Sequence, residues 1–184
     1  MKHFETEPYK VFELFKKQWG LVTTGEIEHF NSCTISWGSM GTLWTRPNKD
    51  GSIITVYLHP NRYTQELLLK NDFFTVSFFP QEYRESLTYM GRHSGRDQNK
   101  AVAAGLTPIE IAEGITYKEA NLTFLCKKIY QHQFSKEDLA ADVQEYYKNN
   151  VRSFPTDRNG NWQPHWMFIG EIIKVYDECN LSNE

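Results

Sequence analysis

Cysteine is scarce in this chain, and its spacing matches no metal-ligand pattern. The 184 residues include Cys33, Cys126 and Cys179, and no Cys-x-x-Cys pair occurs. Structural zinc sites need thiolates at close and regular spacing, so a zinc site of the cysteine type is excluded. An odd number of widely separated cysteines is typical of reduced thiols, and we therefore expect a cytoplasmic protein.

The chain also lacks an excess of positive charge. It has 20 Lys and Arg against 23 Asp and Glu, which gives a formal net charge of −3. Proteins that bind the phosphate backbone of nucleic acids present a positive surface, and no basic half or tail supplies one here. We therefore expect no nucleic-acid partner.

Long apolar runs are missing as well. The most apolar stretch, residues 73–79, is interrupted by Thr75 and Ser77. A membrane-spanning helix needs about 20 apolar residues, and the N-terminus shows no apolar stretch of the kind found in signal peptides. The sequence therefore predicts no membrane segment. Its length fits one domain over residues 1–184.

Common nucleotide-binding and nucleophile motifs are absent too. There is no Gly-x-Gly-x-x-Gly, no Gly-Lys-Ser/Thr loop and no Gly-x-Ser-x-Gly elbow, and the six histidines show no metal-site spacing. A Rossmann site, a P-loop, a hydrolase elbow and a metal centre therefore have no support. Cys33 could pair with His59 or His93 as a nucleophile, but a small buried thiol is the more ordinary role.

The chain does contain many aromatic residues and several alternating segments. Phe, Trp and Tyr make up 15% of the residues, which is too many for a disordered chain. The patterns predict strands over 21–24, 30–37, 53–58, 73–79, 121–133 and 166–176, and helices over 9–18, 62–70, 82–91 and 136–148. The sequence GSMG at 38–41 predicts a flexible turn. Strands with helices inserted between them predict an α+β fold with a barrel or sandwich core.

A first candidate segment has the sequence NSCTISWG and occupies residues 31–38. Alternation places Ser32, Thr34 and Ser36 on one face of the predicted strand. Small hydroxyls leave room for a flat ligand to approach the backbone, although an ordinary strand with one wet face has the same pattern. Trp37 could stack on an aromatic ligand or pack into the core.

A second segment, with the sequence HPNRYT, lies between a buried strand and a helix. Asn61 is a good N-cap residue. First turns of helices favour acidic residues, but here the first turn holds Arg62, Tyr63 and Thr64, and no acid precedes Glu66. A bound anion, most simply a phosphate, would supply the missing negative charge. The alternative is that the arginine is an ordinary surface residue.

A third segment, RHSGRDQNK, places three Lys or Arg residues and a Ser-Gly turn within nine positions of an acidic protein. Asp97 can cap the helix that follows and would place Lys100 one turn inside it. The segment is either a second group of donors for an anionic ligand or a solvated loop.

Taken in order, these three segments resemble the flavin reductase-like family, whose flavoredoxin-type members bind FMN on a split β-barrel. Their order and spacing agree with the family, and the sequence MFIGEI at residues 167–172 is similar to its closing strand. The resemblance covers residues 20–176. It implies an α+β split β-barrel with inserted helices.

The resemblance also implies roles for individual residues. The strand would line the isoalloxazine ring, Arg62 and Thr64 would hold the phosphate, and the third segment would contact the phosphate and the polar edge of the ring. The implied FMN-binding residues are Asn31, Cys33, Thr34, Ile35, Ser36, Trp37, Arg62, Tyr63, Thr64, Ser94, Gly95, Arg96, Asp97 and Lys100. The chemistry would be carried by the flavin, with His165 a candidate to reach the ring. Cys33 and Asn61 depart from the Met and Ser of many relatives.

The function implied by the resemblance is an FMN-dependent oxidoreductase that acts as a homodimer. It would pass electrons from NAD(P)H or a reduced partner protein to a flavin, a ferric complex or another acceptor. One alternative is an FMN-binding electron carrier that does not oxidise NAD(P)H itself. Another is a split-barrel protein that binds a different planar phosphate ester, such as a pyridoxal derivative.

Overall fold

The computed structural model of the chain describes residues 4–47, 51–96, 98–150, 156–157 and 159–177. In these residues the strands are β1 Gly20–Glu26, β2 His29–Ile35, β3 Gly38–Thr42, β4 Ser52–Leu58, β5 Phe73–Phe78, β6 Pro108–Ile111, β7 Gly114–Tyr117, β8 Leu122–Gln133 and β9 Trp166–Asp177. The α-helices are α1 Tyr63–Lys70, α2 Arg84–Arg92, α3 Lys100–Ala103 and α4 Ala141–Asn149. The other described elements are two 3₁₀ turns, Phe4–Thr6 and Gln81–Tyr83, and a π-helical segment, Glu13–Gln18.

Seven strands form one antiparallel sheet in the order β2-β1-β5-β8-β9-β4-β3. The two longest strands, β8 and β9, lie at its centre, and β6 and β7 form a separate hairpin. The outermost strands β2 and β3 are not hydrogen-bonded to each other in the described residues, so the curled sheet stays open. None of the described helices has the length and apolar character needed to cross a membrane.

Two apolar cores follow from the alternation of side chains along β1. Val22 points into the main core, which includes Phe15 of the N-terminal π-helical segment and Phe124 of β8. The neighbouring Leu21 points to the opposite side, where it packs with Leu87 and other residues under α2. The sheet therefore has helices packed on it next to strands β1 and β2.

A buried layer of hydroxyl groups lies between the sheet and the β6–β7 hairpin. The hydroxyl of Ser32 is 2.5 Å from that of Tyr117 and 2.8 Å from that of Thr23. All three residues are at most 1% exposed. Buried polar groups cost free energy unless they are hydrogen-bonded, so this network ties β2, β1 and β7 together at fixed positions.

Most predicted elements are confirmed, and the turn predicted at 38–41 is wrong. These residues form β3, which pairs with β4 in a register that places Gly38 opposite Val56. A Cβ atom at Gly38 would collide with the ring of Phe15, so the glycine is there for close packing rather than for a turn. Sequence patterns do not show such tertiary contacts.

Other boundaries also differ from the predictions. The helix predicted at 9–18 is the π-helical segment Glu13–Gln18, preceded by two α-helical residues, and the helix predicted at 136–148 begins later, at Ala141. The hairpin of β6 and β7 was not predicted, because its strands have only four residues each.

Candidate functional site

The three candidate segments meet beside β2, which is an edge strand of the sheet. The Asn31 amide donates to the Thr64 hydroxyl at 2.7 Å, and this contact joins β2 to the start of α1. The loop after α2 approaches the same place, since a Cβ atom at Gly95 would collide with Oδ1 of Asn31. Residues far apart in the sequence are thus in direct contact.

Arg62 lies at the N-terminus of α1. It is the N-cap residue, with extended backbone, and no side chain caps the helix. The prediction that Asn61 caps this helix is therefore wrong; the Asn61 amide instead donates to Nδ1 of His59 at 3.2 Å. The guanidinium of Arg62 is exposed and donates to the carbonyl of Gly91 at 2.6 Å. Among the described residues, four of its five N–H donors and the amides of Tyr63 and Thr64 have no hydrogen-bond partner, while the amides of Gln65 and Glu66 donate to the Arg62 carbonyl.

Lys100 is the first residue of α3 and is only 5% exposed. Its ammonium donates to the carbonyls of Met90 at 2.9 Å and His93 at 3.1 Å, at the C-terminal end of α2. Burial lowers the pKa of this amine, and nearby Arg62 lowers it further, against a raising effect of Cys33. No carboxylate among the described residues pairs with it, although buried charges in proteins are usually paired.

The cap of α3 differs from the predicted one. The side chain of Asn99 accepts from the amide of Val102 at 3.5 Å and is the N-cap residue. Lys100 is accordingly at the start of the helix, not one turn inside it. Asp97, the predicted cap and a predicted FMN-binding residue, lies outside the described residues.

Arg96 already has partners within the protein that the sequence did not predict. It forms an ion pair with Glu66 of α1, and its guanidinium lies 4.9 Å from the centre of the Tyr63 ring. Ser94 is exposed, and its hydroxyl accepts from the amide of Arg96 at 3.2 Å, which closes a small turn. A phosphate at this point would have to share Arg96 with the Glu66 carboxylate.

Most of the predicted site residues on β2 are covered by neighbouring parts of the protein. Ser32 is bound by Tyr117, and the Thr34 hydroxyl donates to the carbonyl of Leu87 in α2 at 2.6 Å. The expectation that these small hydroxyls leave an open face for a flat ligand is therefore wrong for both. Ile35 is buried, whereas Ser36 and Trp37 beyond the strand are exposed, with Trp37 44% exposed.

Cys33 is 2% exposed, and burial raises the pKa of its thiol. The Thr64 hydroxyl and the cations Lys100 and Arg62 offset part of this rise, but no histidine contributes. His93 instead stacks on Tyr89, with ring centres 3.8 Å apart. Neither observation supports the alternative of a Cys–His nucleophile pair.

A cluster of aromatic side chains adjoins the exposed end of the strand. His165 packs against Trp37, with ring centres 4.6 Å apart, and meets His59 edge-on at 5.1 Å. Nε2 of His59 is buried and has no hydrogen-bond partner within the part of the chain that the structure describes. The sequence analysis considered His59 only as a possible partner of Cys33 and not as an FMN-binding residue; its sequence signal was its position directly after the buried strand β4.

The two histidines predict a dependence of stability on pH. Burial is the main cause that lowers the pKa of each to about 4; Arg62 contributes to the shift of both, and His59 contributes to that of His165. The unfolded chain, with an ordinary histidine pKa of about 6.5, then binds more protons than the folded chain between these values. We expect the free energy of unfolding to have its full value above pH 6.5 and to fall as the pH is lowered towards 4.

Urea titrations at a series of pH values would measure this effect. His59→Gln removes one of the two groups and should flatten the curve in this range. His132→Gln, at an exposed position on β8, is the matched control and should leave the slope unchanged. A slope that is identical in all three proteins would contradict the assignment.

Three open cavities adjoin the site. A mainly apolar groove of about 670 Å³ is lined by Trp37, Tyr57 and Phe134, among others. A cleft of about 230 Å³ lies between Thr34–Ser36 and α2. A polar cavity of about 430 Å³ extends from Asn31 and Lys100 towards the β1–β2 turn. The described residues contain no cluster of side chains that could hold a metal ion.

Comparison with known proteins identifies the family. A family model described as the flavin reductase like domain matches residues 12–183, nearly the whole chain. The chain belongs to the flavin reductase-like family. No curated protein matches it significantly.

Solved structures of the flavin reductase-like family share the fold. An FMN-binding protein from Thermus thermophilus with bound p-hydroxybenzaldehyde has 19% identity and a TM-score of 0.63, covering 97% of this chain and 82% of its own. The flavoredoxin of Desulfovibrio vulgaris (Miyazaki F) has 20% identity and a TM-score of 0.60, covering 97% and 77%. Component B of nitrilotriacetate monooxygenase from Bacillus cereus has 16% identity and a TM-score of 0.60, covering 86% and 68%. The α+β split barrel is thereby confirmed.

The residues of this family member are compatible with a flavin mononucleotide. A phosphate monoester carries up to two negative charges and needs cationic and N–H donors, which the start of α1, Arg62 and Lys100 provide. An isoalloxazine ring needs an apolar or aromatic surface next to main-chain groups, which Trp37 and the edge strand provide.

Proposed function

We propose that the protein is an FMN-binding oxidoreductase that passes electrons from NAD(P)H or a reduced partner protein to a flavin, a ferric complex or another acceptor. The observation that carries the proposal is the meeting of Arg62, Lys100 and the uncapped start of α1. Neither cation pairs with a carboxylate in the described part of the chain, and one of them is buried. A bound phosphate would supply the missing negative charge.

Each group would have a separate task in binding. Arg62 and the first-turn amides of α1 would hold the phosphate. Lys100, at the start of α3, would add a fixed positive charge. Ser94 and Gly95 would close the loop over it. Arg96 would remain shared with Glu66. The Thr64 hydroxyl is buried and already bonded to Asn31, so it would position the strand rather than bind the phosphate directly.

When bound, FMN would supply the electron-transfer chemistry that amino-acid side chains lack. The chain would orient the ring through the main chain of β2 and limit access of water through Trp37 and His165, whose rings are packed together. His165 would be neutral at physiological pH, because burial lowers its pKa to about 4. It would therefore act through packing and hydrogen bonding, not through a positive charge.

The absorption spectrum of the purified protein tests the proposal. After addition of FMN and removal of unbound ligand by gel filtration, we expect the flavin spectrum to remain with the protein at about one FMN per chain. Anaerobic addition of NADH or NADPH should then bleach it. A colourless protein after this treatment would contradict FMN binding.

The same experiment separates the two functions. Bleaching by NAD(P)H supports the reductase, whereas bleaching by dithionite alone supports an electron carrier reduced by a partner protein. Retention of pyridoxal phosphate in preference to FMN would support a different planar phosphate ester.

We also propose that the protein is a homodimer in the cytoplasm. The large exposed side chains Phe12, Trp37 and Phe134 surround one apolar groove and would gain from burial against a second copy. Cys33 and Cys126 are free buried thiols, in keeping with a reducing compartment. Light scattering coupled to gel filtration would give the molar mass.

A further inference from the structure

Three cations meet at the C-terminal end of helix α2. Arg62 donates to the carbonyl of Gly91, and Lys100 donates to two further carbonyls at the same end. Arg92, the third cation, is the last residue of the helix. None of the three forms an ion pair with a carboxylate in the described residues. The dipole of a helix places only about half a negative charge at its C-terminus, so this end of α2 cannot offset three positive charges.

Arg92 is exposed, and within the described parts of the chain its side chain has no hydrogen bond or ion pair. The positions three and four residues back on α2 hold Tyr89 and Thr88, and the acid of this helix, Glu85, is about two turns away. The carbonyls at this end of the helix already accept from the other two cations. Water can solvate an exposed guanidinium, so the role of Arg92 depends on what lies next to it.

The neighbouring feature is the cleft of about 230 Å³ between β2 and α2. Among the described residues that line this cleft, Arg92 alone is charged. The wall formed by the strand consists of residues 34–36, which lead directly into Trp37, where the flavin ring is proposed to lie. The unpaired cation therefore faces the part of the strand along which the proposed ring would lie.

A flavin changes its charge in the reaction that the proposed function assigns to it. When NAD(P)H is the donor, a hydride supplies two electrons and the proton that binds N5, and NAD(P)⁺ leaves. The ring then carries one negative charge, shared by N1 and the C2 carbonyl, unless N1 takes up a second proton. The phosphate, with about two negative charges, is the proposed counter-charge of Arg62 and Lys100 in both redox states. The third cation has a counter-charge only when the ring is reduced.

We propose that Arg92 stabilises the negative charge of the reduced flavin ring and thereby raises its reduction potential. The proposal rests on the proposed function. A guanidinium stays protonated and presents a planar pair of donors, which suits a ring nitrogen and the carbonyl beside it. Arg96, the other arginine of the same segment, is held by its ion pair with Glu66. Because Arg92 acts more strongly on the reduced ring than on the oxidised ring, it shifts the equilibrium between them.

The midpoint potential of bound FMN tests the proposal, measured in the wild type, Arg92→Gln and Arg92→Lys against a dye of known potential. At a pH at which N1 of the reduced ring carries no proton, we expect Arg92→Gln to bind reduced FMN about tenfold more weakly and oxidised FMN almost unchanged. A tenfold ratio lowers the potential by about 30 mV for a two-electron couple. Arg92→Lys should keep most of the wild-type potential, because it keeps the charge.

The pH dependence of the potential gives a second readout. At lower pH two protons accompany the two electrons, and at higher pH only one does, so the slope halves where N1 of the reduced ring loses its proton. Loss of a cation beside N1 favours the protonated form. In Arg92→Gln the halving of the slope should therefore move to higher pH by about one unit, which equals a tenfold change.

Lys70→Gln, which removes an exposed cation from the last turn of α1, is the matched control and should leave the potential unchanged. Equal potentials in the wild type and Arg92→Gln, or equal weakening of both redox states, would overturn the role of Arg92 and leave the FMN proposal intact. Failure of the wild type to bind FMN would overturn the proposed function and the role of Arg92 with it. Thermal unfolding of each variant shows that it is folded.

Discussion

Arg62→Ala is expected to weaken FMN binding by about 10–100-fold, because hydrogen bonds to charged groups contribute about 1.5–3 kcal/mol. Arg62 is exposed at the start of α1, donates to the Gly91 carbonyl in the last turn of α2 at 2.6 Å, and has donors left for a phosphate. Arg62→Lys should retain part of the affinity, since an ammonium keeps the charge but lacks the planar pair of donors. Quenching of flavin fluorescence on titration would give the dissociation constants.

Riboflavin, which lacks the phosphate, makes this experiment specific. Its affinity should be the same in the wild type and Arg62→Ala if the guanidinium acts on the phosphate. Lys70→Ala removes an exposed cation from the opposite end of the same helix and is the matched control. Equal FMN affinity of Arg62→Ala and the wild type would refute the phosphate assignment.

Gly170→Ala is expected to destabilise the protein by about 2–3 kcal/mol through overpacking. Gly170 lies in the central strand β9, and a Cβ atom there would be 2.6 Å from Cβ of Cys126 and 2.6 Å from two ring carbons of Phe74. Both neighbours are at most 1% exposed and are held in the main core. Relief of the contact would therefore require a shift of the backbone or of the ring.

Gly41→Ala is the matched control for this substitution. Gly41 also lies in a strand, β3, but a Cβ atom there would meet nothing within 4 Å. Its replacement should change the free energy of unfolding by less than about 0.5 kcal/mol, or raise it slightly by restricting the unfolded chain. Urea unfolding of the two variants should give clearly different midpoints; coincident midpoints would contradict the packing described for β9.

The strands of the core could be predicted because their sequence patterns depend on local burial. Residues 53–58 and 73–79 consist mainly of apolar or β-branched residues, and the structure places β4 and β5 there. The strand at Gly38–Thr42 could not be predicted, because its glycine is required by the ring of Phe15, a residue far away in the sequence. Contacts between distant residues leave no periodic signal in a short segment.

In the candidate site, too, features set by the local sequence could be predicted, and contacts between distant residues could not. The sequence indicated that Arg62 lies at the start of a helix, and the structure places it there, but the cap predicted at Asn61 does not form. The partners of Lys100 could not be predicted, because the carbonyls of Met90 and His93 come close to its ammonium only once the loop after α2 has folded. The ion pair between Arg96 and Glu66 likewise joins two elements whose relative position is set by packing on β2.

The position of β9 has a consequence for the order in which the sheet can form. The proposed FMN-binding residues lie between Asn31 and Lys100, whereas β9 pairs with both β8 and β4 and so joins the two parts of the sheet. Strands β2, β1, β5 and β8 can pair with one another without β9, but in the described sheet β4 and β3 are connected to them only through it. The contact between Asn31 and Thr64 can therefore form before the sheet is complete, while β3 and β4 take their places only once β9 has paired.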